Sequence, residues 1–115
     1  MQKHPGLPQA FAELGIEDRF LQALARVHYE QPSEIQAALI PPALAGRDIL
    51  GQAQTGTGKT AAFALPVLQR IDPAGRLQAI CLVPTRELAV QVTGEVQRMS
   101  ACTNLHIVAV YGGQK

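Results

Sequence analysis

The run Ala53-Gln54-Thr55-Gly56-Thr57-Gly58-Lys59-Thr60 carries the strongest chemical signal in the chain. It follows the phosphate-loop pattern GxxxxGK[ST], with alanine in place of the first glycine. Gly56 and Gly58 permit a tight turn in which successive backbone N–H groups point at phosphate oxygens. Lys59 is placed to reach the β- and γ-phosphates of a nucleoside triphosphate, and the Thr60 hydroxyl to ligate Mg2+. A helix starting here adds the positive end of its dipole to the same anion. The plain alternative is a glycine turn with a chance lysine. Against it stand an apolar run before the loop and helical residues after it, the context a phosphate cradle requires.

The elements that must position this loop alternate in type. Asp18 to His28 has apolar residues at helical spacing: Phe20, Leu21, Leu24, Ala25 and Val27. Ser33 suits the N-cap of a second helix, and Pro41-Pro42 predicts a bend or interruption in it. Ile49-Leu50-Gly51 suits a short buried strand ahead of the loop, and a helix is expected over Lys59 to Arg70, kinked at Pro66. Ala79 to Val83 is an apolar run of strand length. Leu88, Val92, Val96 and Met99 then mark one helical face, and Leu105 to Tyr111 reads as a third strand. Strand, helix, strand, helix, strand predicts an α/β fold, a parallel sheet with helical crossovers.

Composition sets outer bounds. The 115 residues suffice for one domain, 47% are hydrophobic, and 10 basic residues stand against 9 acidic ones. That balance excludes a polycation, so any nucleic-acid contact must come from a few well-placed groups. The longest uncharged apolar stretch, Ala61 to Leu68, falls far short of the ~20 residues of a membrane span, and no signal-peptide core opens the chain. Cys81 and Cys102 form no CxxC motif, so a cytoplasmic protein with two reduced thiols and no membrane contact is expected. The chain stops soon after Gly112-Gly113 without a polar tail, which reads as a truncation.

Several separate segments resemble DEAD-box RNA helicases. AQTGTGKT is the form of phosphate loop seen there, and Pro84-Thr85-Arg86-Glu87-Leu88-Ala89 is similar to that family's motif Ia. Tyr29-Glu30-Gln31-Pro32-Ser33-Glu34-Ile35-Gln36 is similar to its adenine-reading Q motif, which starts at His28. Phe11 stands where the family keeps an isolated aromatic, and Gly112-Gly113 matches its paired-glycine motif. His28 stands where glycine is usual, Ser33 where threonine is commoner, and Glu34 where proline is common; the hydroxyl is kept. The resemblance runs from Phe11 to Gly113. It implies the N-terminal part of a first RecA-like domain over residues 1–115, with a Q motif at 28–36, phosphate loop at 53–60, motif Ia at 84–89 and paired glycines at 112–113.

The resemblance also implies roles. Gln36 has the donor and acceptor edge that pairs with adenine N6 and N7, whereas guanine presents O6 there. Taken alone it is a helix-surface glutamine. Phe11 is expected to stack on the adenine, although by spacing alone it is a core residue. Tyr29 and Pro32 belong to the same nucleotide site. Pro84, Thr85 and Arg86, at a strand end and helix start, suit a phosphate of single-stranded RNA, as do Gly112 and Gly113. Taken alone, Thr85 is an N-cap and the glycines an ordinary turn. ATP or ADP with Mg2+, and RNA, are the implied cofactors and partner.

Phosphoryl transfer to water also needs an acid to position Mg2+ and the attacking water. Only Asp72, Glu87 and Glu95 follow the loop, and neither later apolar run ends in an acid. The family's D-E-A-D and S-A-T segments and its second RecA-like domain are absent from this chain. The chain is therefore expected to bind nucleotide without turning it over alone. The parent would be an RNA-stimulated ATPase that unwinds or remodels RNA. The rivals are a nucleotide-binding module without turnover, a related phosphate-loop enzyme acting on DNA, and a kinase or transferase using the same loop. Later strands of this family insert between the early ones, so marginal stability is expected for the chain alone.

Overall fold

Helices account for all the regular structure described in the computed structural model, which covers residues 6–52 and 58–113. They are α1 (Gln9–Ala12), α2 (Asp18–Arg26), α3 (Glu34–Leu44), α4 (Lys59–Arg70) and α5 (Arg86–Met99). The loop residues Ala53 to Thr57 lie outside the described residues. No described helix is long and apolar enough to cross a membrane.

Each long helix forms where its own sequence dictates. In α2, Phe20, Leu21, Ala23 and Leu24 are buried, as the apolar spacing requires. The helix stops at Arg26 and its end is closed by two reverse hydrogen bonds: the His28 N–H donates to the Ala25 carbonyl, and the Tyr29 N–H to the Leu24 carbonyl. That closure needs a left-handed residue after the cap. His28 fills the position with φ +62°, the one non-glycine at positive φ among the described residues.

Helix α3 opens with a capping box. The Ser33 hydroxyl accepts from the Gln36 N–H at 3.3 Å, and Gln36 Oε1 accepts from the Ser33 N–H at 2.8 Å. The interruption that Pro41-Pro42 could have caused does not occur: the helix continues through both prolines to Leu44. The carbonyls they leave unbonded belong to Ala37 and Ala38, which are exposed and open to water. Helix α4 likewise runs unbroken across the buried Pro66.

Helix α4 lies between α3 and α5, and α5 also meets α2. The core joins Phe11, Phe20, Leu21, Leu24, Ile40, Leu65 and Met99, all essentially without exposed surface. The short turn before α2 is tied to the end of α4 by Gln69, which accepts from the Glu17 N–H at 2.9 Å and donates to the Gly15 carbonyl at 2.8 Å.

The sheet expected from the sequence is not formed among the described residues: none of the three apolar runs is assigned as strand. Leu50 is 98% exposed, Leu82 90% and Val110 83%, where buried strands were expected. The reason is that a strand is completed by neighbours about 4.7–4.9 Å away on either side. The run 105–111 nevertheless keeps a strand's alternation. Leu105, Ile107, Ala109 and Tyr111 are half-buried, and His106, Val108 and Val110 are exposed. Leu105 and Ile107 pack on the helical core, and Gln97 Nε2 donates to the Ile107 carbonyl at 3.4 Å. One face of this run is therefore seated and the other is open.

Candidate nucleotide and phosphate sites

The starts of α3 and α4 are joined by a hydrogen bond. Gln36 Nε2 donates to the Gly58 carbonyl at 3.0 Å, while Oε1 of the same amide serves the capping box. Gln36 is buried as a result. These contacts use one lone pair and one N–H; a primary amide carries a second of each. Those are the two an adenine edge requires.

Gly58 is the N-cap of α4, at φ +82° and ψ 25°. A Cβ built there stands 2.3 Å from Gln36 Nε2, so both the backbone angle and the close approach exclude a side chain. Gly58 has no side chain with which to cap α4. First-turn N–H groups of a helix lack intrahelical acceptors and suit an anion, and the helix dipole favours negative charge there. Lys59 is exposed at the first helical position and Thr60 is half-buried at the second. The described part of the phosphate loop thus presents a cation, a hydroxyl and helix N–H groups at one end of α4. The other five loop residues named from the sequence, Ala53, Gln54, Thr55, Gly56 and Thr57, lie outside the described residues.

Phe11 is fully buried, and its ring stacks on Tyr29 with centroids 6.4 Å apart and planes 25° from parallel. In this conformation Phe11 is a core residue and offers no ring face to solvent. Tyr29, whose role the sequence did not disclose, is half-buried and lines a cleft of about 360 Å3. Its lining includes Leu7, Pro8 and Gln9 together with His28, Tyr29 and Glu30. Pro32 is half-buried between the cleft and the α3 cap. Gln36 and Phe11, to which the resemblance assigns the adenine contacts, are not among the residues that line this cleft, whereas His28 is.

A second cluster forms at the start of α5. Thr85 is its N-cap, with Oγ1 accepting from the Leu88 N–H at 3.1 Å. Arg86 extends over the ring of Tyr111, with its guanidinium carbon 5.4 Å from the ring centre. Gly113 has φ +85°, and a Cβ there stands 3.9 Å from Arg86 Nη2. The fold therefore brings together Thr85 and Arg86 with the segment Tyr111 to Gly113. Gly112 has open space where a side chain would be, and Pro84 is exposed. Tyr111 was missed in the sequence because nothing local marks it as Arg86's neighbour.

Among the described residues no group of three or more His, Cys, Asp or Glu side chains is arranged to hold a metal ion. Thr60, the residue named from the sequence as a ligand of a divalent cation, stands at the start of α4. Cys81 and Cys102 are both free thiols. Asp72 heads the exposed turn that Gly75 closes, and Glu87 lies exposed in the first turn of α5.

Comparison with known proteins bears on these features together. The family model described as DEAD/DEAH box helicase matches residues 33–115. The chain is 54% identical over 108 residues to RNA helicase CrhR of Synechocystis, an alignment covering 94% of this chain and 22% of that protein. Among solved structures, a DEAD box protein from the hyperthermophile Methanococcus jannaschii superposes with a TM-score of 0.87 at 40% identity, over 92% of this chain and 30% of that one. Dbp5 of S. cerevisiae bound to RNA and ADP BeF3 superposes with a TM-score of 0.79 at 42% identity, over 83% of this chain and 25% of that one. The chain thus spans under a third of the length of each of these proteins.

Proposed function

The chain belongs to the DEAD/DEAH box helicase family, and from that premise we propose that it forms the N-terminal part of the first RecA-like domain of a cytoplasmic, ATP-dependent RNA helicase. The 115 residues supply the adenine- and phosphate-binding motifs and part of the RNA surface; the remainder of the first domain and a second RecA-like domain supply the rest. Within the first domain the runs at Ile49, Ala79 and Leu105 become strands of a parallel sheet. Free Cys81 and Cys102 fit a reducing compartment.

The observation that carries this reading is the bond from Gln36 to Gly58, which joins the adenine-reading motif directly to the phosphate loop. Gln36 reads adenine with its remaining N–H and lone pair, and Tyr29 and Pro32 wall the base. Phe11 stacks on the base only if it moves out of the core. Ala53 to Thr57 with Gly58 wrap the phosphates, Lys59 neutralises their charge, and Thr60 gives its hydroxyl to Mg2+. Pro84, Thr85, Arg86, Gly112 and Gly113 hold the sugar-phosphate backbone of one RNA strand. RNA stimulation of the ATPase, against none by DNA, separates this reading from a DNA-directed relative.

The placement of the acids supports binding without turnover by the chain alone. Asp72 sits in an exposed turn, and Glu87 and Glu95 lie on α5 rather than at the end of an extended run. The test is a thermal melt followed by circular dichroism with Mg·ADP, with Mg·GDP and with neither. The reading expects a midpoint raised by ADP and not by GDP. Equal shifts would leave the phosphate loop and remove Gln36 as the adenine reader.

A further inference from the structure

Arg86 begins α5, and its guanidinium lies against the Tyr111 ring from a segment more than twenty residues later in the chain. We propose that Tyr111 is a positioning residue for RNA phosphate recognition by Arg86, an inference that rests on the RNA reading of Arg86 given above. A guanidinium is a flat cation whose five N–H donors all point outward in its plane. An aromatic ring on its face holds it by attraction to the ring quadrupole and occupies none of those donors. Two adjacent N–H groups then remain free for the fork-like contact that a phosphate accepts.

The geometry fixes both ends of this side chain. The Thr85 cap fixes the backbone at the base of Arg86, and the Tyr111 ring fixes the head. Gly113, without a side chain, leaves the ground beside Nη2 open for a nucleic-acid backbone. The ring itself is braced because Tyr111 falls on the half-buried phase of the alternating run 105–111. A long, exposed arginine otherwise spreads over many rotamers, and a phosphate must collect it before binding. Tyr111 makes that selection in advance.

The test is binding of a fluorescein-labelled single-stranded oligouridylate to the natural full-length polypeptide, read by anisotropy. Tyr111→Phe keeps the ring face and should bind within about twofold of the unaltered protein. Tyr111→Leu should weaken binding by about two- to fivefold, the range to which an exposed cation–π contact converts. In an Arg86→Ala background, Tyr111→Leu should have no further effect. Arg86→Lys keeps the charge without the planar fork and leaves the ring's packing intact, so it should show a loss like that of Tyr111→Leu; it decides the matter if Tyr111→Leu does not fold. Tyr111→Leu binding at the unaltered level, losses that add with Arg86→Ala, or full binding by Arg86→Lys would each overturn the positioning role. Arg86→Ala binding as tightly as the unaltered protein would instead overturn the RNA reading of Arg86 itself.

Discussion

Gln36 and Gly58, 22 residues apart, share one 3.0 Å hydrogen bond that ties the cap of α3 to the cap of α4. The bond exists because Gly58 has no side chain; a Cβ there would collide with the same amide nitrogen. Gly58→Ala should therefore fail twice, through the left-handed backbone angle, about 1–2 kcal/mol, and through displacement of Gln36. Expected are a lower melting midpoint and no midpoint shift with Mg·ADP. Gln36→Glu is the subtler variant: it keeps the oxygen that accepts from Ser33 but loses the donor to Gly58, and with it the donor proposed for adenine. It should erase any preference for ADP over GDP, read from the two midpoint shifts.

Lys59 is exposed at the first position of α4, so its charge is available to a phosphate and is not spent on the fold. Lys59→Ala should leave the circular-dichroism spectrum and melting midpoint of the unliganded chain unchanged within about 0.5 kcal/mol. In the natural full-length polypeptide the same change should abolish RNA-stimulated ATP hydrolysis. Retained hydrolysis would remove the phosphate-loop assignment.

His28 closes α2 in a conformation that favours glycine, with φ +62°. Both reverse hydrogen bonds at this helix end use backbone groups only, so the imidazole is not needed for the closure. His28→Gly should keep the closure and relieve the left-handed strain, offset in part by the greater freedom of glycine in the unfolded chain. The net expectation is stabilisation by about 0.5–1 kcal/mol, measured as a raised midpoint in a thermal melt. A lowered midpoint would show that the imidazole contributes packing or hydrogen bonding on the cleft wall.

What the sequence disclosed, and what it hid, follows the range of the interactions involved. The start of α3 was legible because Ser33 and Gln36 cap each other within one turn. The bounds of α4 and the inward faces of Val96 and Met99 were legible because helical periodicity is local. The continuity of α3 across Pro41 and Pro42 was not, since it depends on Ala37 and Ala38 facing water. Nor was the clamp of Gln69 on Gly15 and Glu17, which no local pattern encodes. Phe11 reads both ways in the sequence, and its burial against Tyr29 is a tertiary fact. The apolar runs were legible as strand material, but a sheet is made by pairing between distant segments, and among the described residues that pairing is not formed.

The same open pairing determines how the 115-residue chain should behave in solution. Leu50, Ile80, Leu82, Val108 and Val110 are exposed on the apolar runs, while the fully buried core is drawn almost wholly from the helices. Extended apolar segments with open edges favour pairing with another chain. The chain alone should therefore melt at or below the ~45–65 °C range of mesophile domains, with a broad transition and light scattering that rises with protein concentration. Val108→Lys changes a side chain on the open face of the 105–111 run, so it should reduce scattering without lowering the midpoint. A sharp, concentration-independent melt above that range would show instead that the chain alone is stable, and the prediction of marginal stability would fall.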